Sequence, residues 1–214
     1  PRREALDQKP REKTMRAAVL HEAPGDLVIE DLDIASPIGH EVLIETKASG
    51  LCHSALHVIE GLLPLPPLPA ALGHEASGIV EAVGPDVTAF SPGDHVITCL
   101  TQFCGLCSEC LAGRIWICPN RHSLVRGPDE APRLALDGRP VLQMAGLGAF
   151  AEKMLVHENG VVAVDPDVPF DVAALIGCAV MTGVGSATNG ARIRPGETVA
   201  VIGCGGIGLI IVQG

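Results

Sequence analysis

The chain has 214 residues, of which 47% are apolar and only 2% aromatic, and its formal charge is −10. That length and apolar content can bury a core and exclude a disordered chain, and the core must be built mainly from Val, Ile, Leu and Ala. The acidic balance argues against nucleic acid or an anionic membrane surface as a partner and leaves small molecules and proteins.

Residues 1–14 are polar and charged, and Met15 opens the first apolar segment, so 1–14 read as an extension ahead of a natural start. Pro1-Arg2-Arg3-Glu4 lacks the apolar segment of a signal peptide, and no run approaches the roughly 18 uninterrupted apolar residues of a membrane span. A soluble, cytoplasmic protein without membrane contact is expected. Short β-type segments then recur at Arg16–His21, Leu27–Ile34, Glu41–Ala48, Ser77–Val83 and His95–Thr98. Between them stand the turn signals Pro24-Gly25, Pro37-Ile38-Gly39, Gly84-Pro85-Asp86 and Pro92-Gly93-Asp94. With 25 Gly and 17 Pro in the chain, this spacing predicts an irregular β-barrel or sandwich. Residues 121–148, dense in Arg, Pro, Gly and Asp, read as a long surface loop, after which Ala151–His157 and Val161–Val164 return to strand.

The character changes near residue 165. Asp171–Ala179 and Thr182–Asn189 are Ala-rich and fit two helices, and Glu197–Ile202 has the compact apolar pattern of a buried parallel strand. That strand feeds Gly203-Cys204-Gly205-Gly206-Ile207-Gly208 and the start of another helix. Strand, glycine-rich turn and helix make the opening of a dinucleotide-binding unit. An α/β chain is therefore expected: a β-barrel domain over residues 15–165 and the beginning of a Rossmann domain over 166–214.

Eight cysteines in an intracellular chain point to metal, with a disulfide framework as the competing reading. Cys104, Cys107, Cys110 and Cys118 follow the spacing C-x2-C-x2-C-x7-C. One loop presents successive thiolates to one ion, and the longer return brings the fourth. Four soft thiolates with no position left for water suit a structural Zn²⁺, and on spacing alone an iron–sulfur cluster competes. Arg114 and backbone amides are the groups available to offset the negative charge of such a site. The remaining candidates, Cys52, His74 and Cys178, are dispersed, and taken singly each cysteine reads more readily as a small core residue than as a ligand.

Several motifs then agree in order. Gly73-His74-Glu75-Ala76-Ser77-Gly78-Ile79-Val80 continues through Gly84, Gly50-Leu51-Cys52-His53-Ser54 precedes it, and the four-Cys segment, Gly177-Cys178 and the terminal glycine turn follow. Over residues 15–214 the chain resembles the zinc-dependent medium-chain alcohol dehydrogenases, whose fold is a GroES-like barrel followed by a Rossmann domain. The segment 121–148 is most similar to the liver-type and glutathione-dependent formaldehyde dehydrogenase branches. The resemblance implies that Cys52, His74 and Cys178 hold a catalytic zinc with Glu75 beside it, and that the four-Cys lobe holds a structural one. Two thiolates and an imidazole leave a position for water or alcohol, whose pKa a zinc ion lowers into the neutral range so that hydride can leave toward NAD(P)⁺. Ser54 and His57 match the proton relay, a hydroxyl passing the proton to an imidazole that exchanges it with water. His53 stands where a basic group meets the cofactor pyrophosphate. Thr182 would lie near the nicotinamide with Ile207 behind it, and Gly203, Gly205, Gly206 and Gly208 would shape the pyrophosphate turn. His57 also reads simply as a surface histidine.

Two departures from the pattern stand out. Residue 55 is Ala where the family carries an Asp that orients the zinc-binding histidine, and losing such a partner lowers metal affinity or activity about 10–100-fold. The acidic residue that grips the ribose, about 20 positions past the glycine turn, falls after Gly214, so these residues do not separate NADP from NAD, although the resemblance favours NAD. The resemblance implies two zinc ions per subunit, a small alcohol or aldehyde substrate and a homodimer for a full-length protein. Turnover by these 214 residues alone is not expected. The competing functions are a zinc-binding fragment or interaction protein without catalysis and, third, a zinc-independent quinone reductase of the same superfamily.

Overall fold

The computed structural model describes residues 13–63 and 68–214; the extension expected over residues 1–14 lies outside them as far as residue 12. Among the described residues eleven strands run in chain order: β1 (Lys13–Leu20), β2 (Leu27–Ile34), β3 (Glu41–Ser49), β4 (Ala70–Ala71), β5 (Ala76–Val83), β6 (His95–Thr98), β7 (Leu134–Leu136), β8 (Arg139–Pro140), β9 (Leu142–Gln143), β10 (Lys153–His157) and β11 (Val161–Ala163). They form one sheet in the order β8-β7-β2-β1-β4-β9 and a second in the order β10-β3-β5-β6-β11. All pairings are antiparallel except β4 with β9.

The segment entering β10 closes the two sheets into a barrel. Ala151 bridges Ala17 of β1, and the amide of Glu152 donates to the Arg16 carbonyl at 2.9 Å. On the other side the amide of Thr46, in β3, donates to the Glu152 carbonyl at 3.0 Å. One short stretch of backbone therefore bonds to both sheets, and the GroES-like barrel is formed as expected.

Side chains alternate across a strand, so a strand lying between two layers sends odd and even residues to different cores. β3 and β10 do this. Leu43 and Leu155, paired across the two strands, join Met15, Ala17, Val19, Leu32 and Ile34 in one buried cluster. Their neighbours Val42, Ile44, Met154 and Val156 join Ala76, Val80 and Val96 in the other. Every one of these side chains is almost wholly buried. A third cluster of Leu20, Ala70 and Leu72 seats Val58, on a short helix, α1 (His53–Ile59), against the barrel.

The segment 121–148 is not the surface loop that its composition suggests. It contributes β7, β8 and β9 to the first sheet and buries Leu124, Leu134, Val141 and Leu147. A buried charge cluster holds it. The Glu41 carboxylate, 4% exposed, accepts Arg133 Nε at 2.7 Å and Arg126 Nη2 at 2.5 Å. The same arginines donate onward to the carbonyls of Leu124, Ala131 and Ser36. Arginine here is an internal staple between the loop and the start of β3, which composition cannot reveal.

Two further expectations need correction. Residues 197–202 form no strand, because no described strand lies beside them, and Val199 and Ile202 are exposed. The two helices expected over 171–189 are instead one helical run from Phe170 to Gly190. It begins as α-helix (Phe170–Ala174), widens to π-helix at Ile176–Val180, returns to α-helix at Met181–Gly185 and ends in π-helix at Ser186–Gly190. By length and composition alone this run is long and apolar enough to cross a membrane. Its first turns pack on β3 and β5, and Met181–Gly185 packs on the last helix, Gly206–Gln213.

Leu155→Ala removes a fully buried side chain from the wall between two sheets. It should lower the unfolding free energy by about 2–5 kcal/mol in a denaturant titration. Burial pushes the Glu41 carboxyl up, but the hydrogen bonds from Arg126, Arg133 and the Ile38 amide outweigh it, and the net shift is downward. A carboxylate whose folded pKa is depressed stabilises fully above its unfolded pKa and loses that contribution as pH falls through the folded value. Stability should therefore drop as pH falls below the ordinary glutamate value of 4.5, and Glu41→Gln should flatten that part of the curve. A thermal-melting series in acid reads both.

Candidate metal centre

The pairing of β3 with β5 decides where the dispersed ligands meet. Ser49 lies opposite Ala76, so the chain leaves β3 toward Cys52 at the same sheet end at which the chain carrying His74 and Glu75 enters β5. Cys52 is the extended N-cap residue of α1. The third element arrives over β6. The Ser77 hydroxyl donates to the Phe170 carbonyl at 2.6 Å, fixing the start of the long helical run, and the π-turn that follows contains Cys178. Gly177 permits the approach: a Cβ there would lie 1.8 Å from the Thr98 carbonyl oxygen, so only glycine lets this turn rest on the end of β6.

The result is one cluster. The donor atoms of Cys52, His74, Glu75 and Cys178 all lie within 4.8 Å of one another. Cys178 Sγ stands 3.5 Å from His74 Nε2. His74 and Glu75 are buried and the two cysteines half-buried. Burial lowers the His74 pKa against the opposing pull of Glu75, which favours the neutral imidazole that ligates metal. Burial, followed by the neighbouring Glu75 and Cys52, pushes the Cys178 thiol up to about 12. Acidic donors crowded in this way repel one another once ionised, and a divalent cation among them removes that penalty. The set of two sulfurs, one imidazole nitrogen and one carboxylate fits a borderline-soft divalent ion. His74 Nδ1 is buried and has no hydrogen-bond partner. Ala55, the residue at which the resemblance expects an acceptor, is buried and has none to offer.

A second cluster lies in the lobe between β6 and β7, where the Sγ atoms of Cys104, Cys107, Cys110 and Cys118 are also all within 4.8 Å of one another. The recorded separations are 4.0 Å (Cys104–Cys110), 3.4 Å (Cys107–Cys110) and 3.9 Å (Cys107–Cys118). A tetrahedron with sulfur about 2.3 Å from a central ion has edges of about 3.8 Å, so the lobe is shaped for a single ion. All eight cysteines are free thiols, which leaves the disulfide reading without support. Backbone amides of Leu106 and Cys107 pull the Cys104 thiol down to about 6, while desolvation and the neighbouring thiols push Cys110 up to about 12. Arg114 Nε donates to the Glu109 carboxylate at 2.6 Å. The amides of Cys104 and Cys110 face sulfur, at 3.4 and 3.5 Å.

The other expected site residues surround the first cluster along the chain. His53 and Ser54 occupy the exposed first turn of α1, and His57 lies one turn on, its ring centroid 4.6 Å from that of His53 in an edge-to-face contact. Thr182 is exposed, one helical turn past Cys178. Gly203 has a φ of +105°, and a Cβ on Gly208 would meet the Gly203 carbonyl oxygen at 2.0 Å, so these two glycines make the turn and seat the helix on it. A Cβ added at Gly205 or Gly206 would meet nothing within 4 Å, so space is open beside the helix start, and Ile207 is 39% exposed. The motif around Cys178 included Gly177 but gave no sign of its contact with β6, and the π-turn and α1 have no periodic signature.

Residues 39–166 match the alcohol dehydrogenase GroES-like domain family. The chain is 42% identical over 189 residues to alcohol dehydrogenase B of Mycobacterium tuberculosis, covering 87% of this chain and 50% of that protein. It is 40% identical over 202 residues to the S-(hydroxymethyl)glutathione dehydrogenase of Saccharomyces cerevisiae, covering 92% and 52%. Among solved structures, an alcohol dehydrogenase zinc-binding domain protein from Burkholderia ambifaria superposes with a TM-score of 0.85 at 34% identity, covering 94% of this chain and 55% of that one. The chain belongs to the zinc-dependent medium-chain alcohol dehydrogenase family and spans about half the length of these relatives.

Gly177→Ala should push the π-turn off β6 and carry Cys178 away from His74, with an overpacking cost of about 1–3 kcal/mol. Metal analysis after mild chelation is expected to show the four-Cys lobe still loaded and the other cluster depleted.

Proposed function

We propose that this chain is the catalytic part of an alcohol dehydrogenase that moves hydride between a small primary or secondary alcohol and NAD(P)⁺, with NAD the expected cofactor. The observation that carries this reading is the convergence of Cys52, His74, Glu75 and Cys178 from three separate elements. In it, residues 15–165 form the catalytic domain and 166–214 begin the cofactor domain. Cys52, His74 and Cys178 hold a catalytic zinc with Glu75 at its side, and the four lobe cysteines hold a structural zinc. When bound, the catalytic ion supplies Lewis acidity that makes an alcohol hydroxyl easier to deprotonate.

The chain's own groups do the rest. Ser54 accepts the hydroxyl proton and His57 passes it to water, a task suited to an imidazole because its ring can both take up and release a proton. His53 meets the cofactor pyrophosphate, which Gly203, Gly205, Gly206 and Gly208 admit to the helix start, where backbone amides attract anions. Thr182 and Ile207 flank the nicotinamide. A small alcohol or aldehyde as partner, a homodimer of the full-length protein and a cytoplasmic setting belong to the same proposal.

The test is alcohol-dependent nicotinamide reduction by the protein that carries this chain, together with metal content. Two zinc ions per chain are expected, and Cys178→Ser should remove one of them along with at least about 99% of turnover. Unchanged turnover in that variant would sink the proposal. A chain that holds only the lobe zinc and binds no NAD(P)H in a fluorescence titration would establish the non-catalytic fragment instead. Ala55→Asp should strengthen zinc retention about tenfold by giving His74 Nδ1 an acceptor, and equal zinc loss from both forms during chelation rejects that role for residue 55.

A further inference from the structure

Gly50 immediately follows β3 on the way to Cys52, and its backbone has no positive φ that would demand glycine. Its main chain is nonetheless fixed against Glu75. The Gly50 amide donates to the Glu75 carbonyl at 2.9 Å, and the Ser49 hydroxyl donates to the same oxygen at 3.0 Å. With both backbones held, the Glu75 side chain folds back over residue 50. A Cβ on Gly50 would stand 2.2 Å from Glu75 Oε2, 3.1 Å from Glu75 Cβ and 3.0 Å from Leu175 Cδ2. The first distance is far inside van der Waals contact and involves the very carboxylate that lies with the cysteine sulfurs and the imidazole.

We infer that Gly50 is a positioning residue of the metal centre, because its bare Cα is the space that lets the Glu75 carboxylate stand among the donors. The inference rests on the metal-centre reading proposed above. Glu75 is only 3% exposed, so a displaced carboxylate has no solvent to turn into and must leave the cluster. The oxygen that collides is the far end of a flexible side chain, so a methyl at residue 50 moves the carboxylate before it disturbs the sheet. Residue 50 thereby decides whether the Glu75 carboxylate lies beside Cys52, His74 and Cys178: it does with glycine and is displaced with alanine.

The experiment uses Co²⁺ exchanged into the site of Cys52, His74 and Cys178 while the four-Cys lobe keeps Zn²⁺. The dissociation constant comes from chelator competition and the coordination from the visible d–d spectrum. Gly50→Ala and Glu75→Ala are each expected to weaken Co²⁺ binding about tenfold and to change the spectrum in the same way. The double variant should match Glu75→Ala within about twofold, because the colliding carboxylate is already gone. A Gly50→Ala effect that persists undiminished in the Glu75→Ala background overturns the inference, as does a Gly50→Ala protein with wild-type affinity and spectrum. Should Gly50→Ala fail to fold, recovery of folding in the double variant supports the collision, and failure of both overturns it. Equal Co²⁺ content in wild type and Cys178→Ser would overturn the metal reading itself and this inference with it.

Discussion

The register of one strand pair governs the site. Because Ser49 stands opposite Ala76, the chain leaving β3 and the chain entering β5 meet at the same end of the sheet. Cys52, His74 and Glu75 are neighbours for that reason. A slip of one residue would turn His74 and Glu75 to opposite faces from those they now occupy. Gly78 reinforces the register: a Cβ there would lie 2.2 Å from the Glu45 carbonyl oxygen, so the two strands cross more closely than any side chain allows. Cys178 then needs only one more constraint, the seat of its π-turn on the end of β6.

That register is held from behind by burial on both faces of β3. Alternate residues of β3 and β10 fill two different cores, so neither strand can shift without opening both. At the far end of β3, Glu41 ties in the segment 121–148 through Arg126 and Arg133. A buried carboxylate with two arginines is costly to desolvate, and its value lies in forbidding other placements of the loop. The strand that carries the first ligand therefore has one end fixed by charge, its middle by packing and its other end by the Gly50–Glu75 contacts.

What was legible in the sequence was local. β2 and β6 fall where the turn-bounded apolar segments put them, and the lobe cysteines announce themselves because their spacing lies within one loop. The dispersed donors carry no such signal, and only resemblance to a family pointed at Cys52, His74 and Cys178 before the structure gathered them. The segment 121–148 misled because two-residue strands have no period, and because Arg133 reads as a surface residue until Glu41 is seen beside it. Residues 197–202 misled in the opposite direction. Their pattern suits a buried parallel strand, but a strand exists only by virtue of its neighbours, and none is present among the described residues. The π-turn at Cys178 was illegible because helix propensity does not distinguish one hydrogen-bond spacing from another.

The two donor clusters differ in the length of chain that each must close. Cys104 to Cys118 is a short loop, so an ion there can be gathered by a chain that has not yet folded, at a small cost in entropy. Cys52 to Cys178 encloses more than half the chain, and its donors meet only after both sheets and the helical run are in place. An ion that also binds the unfolded chain adds less to stability than one that binds only the native state. The lobe is thus suited to nucleate, early and locally. The other cluster is suited to report, since its occupancy counts the chains in which the whole barrel has been assembled.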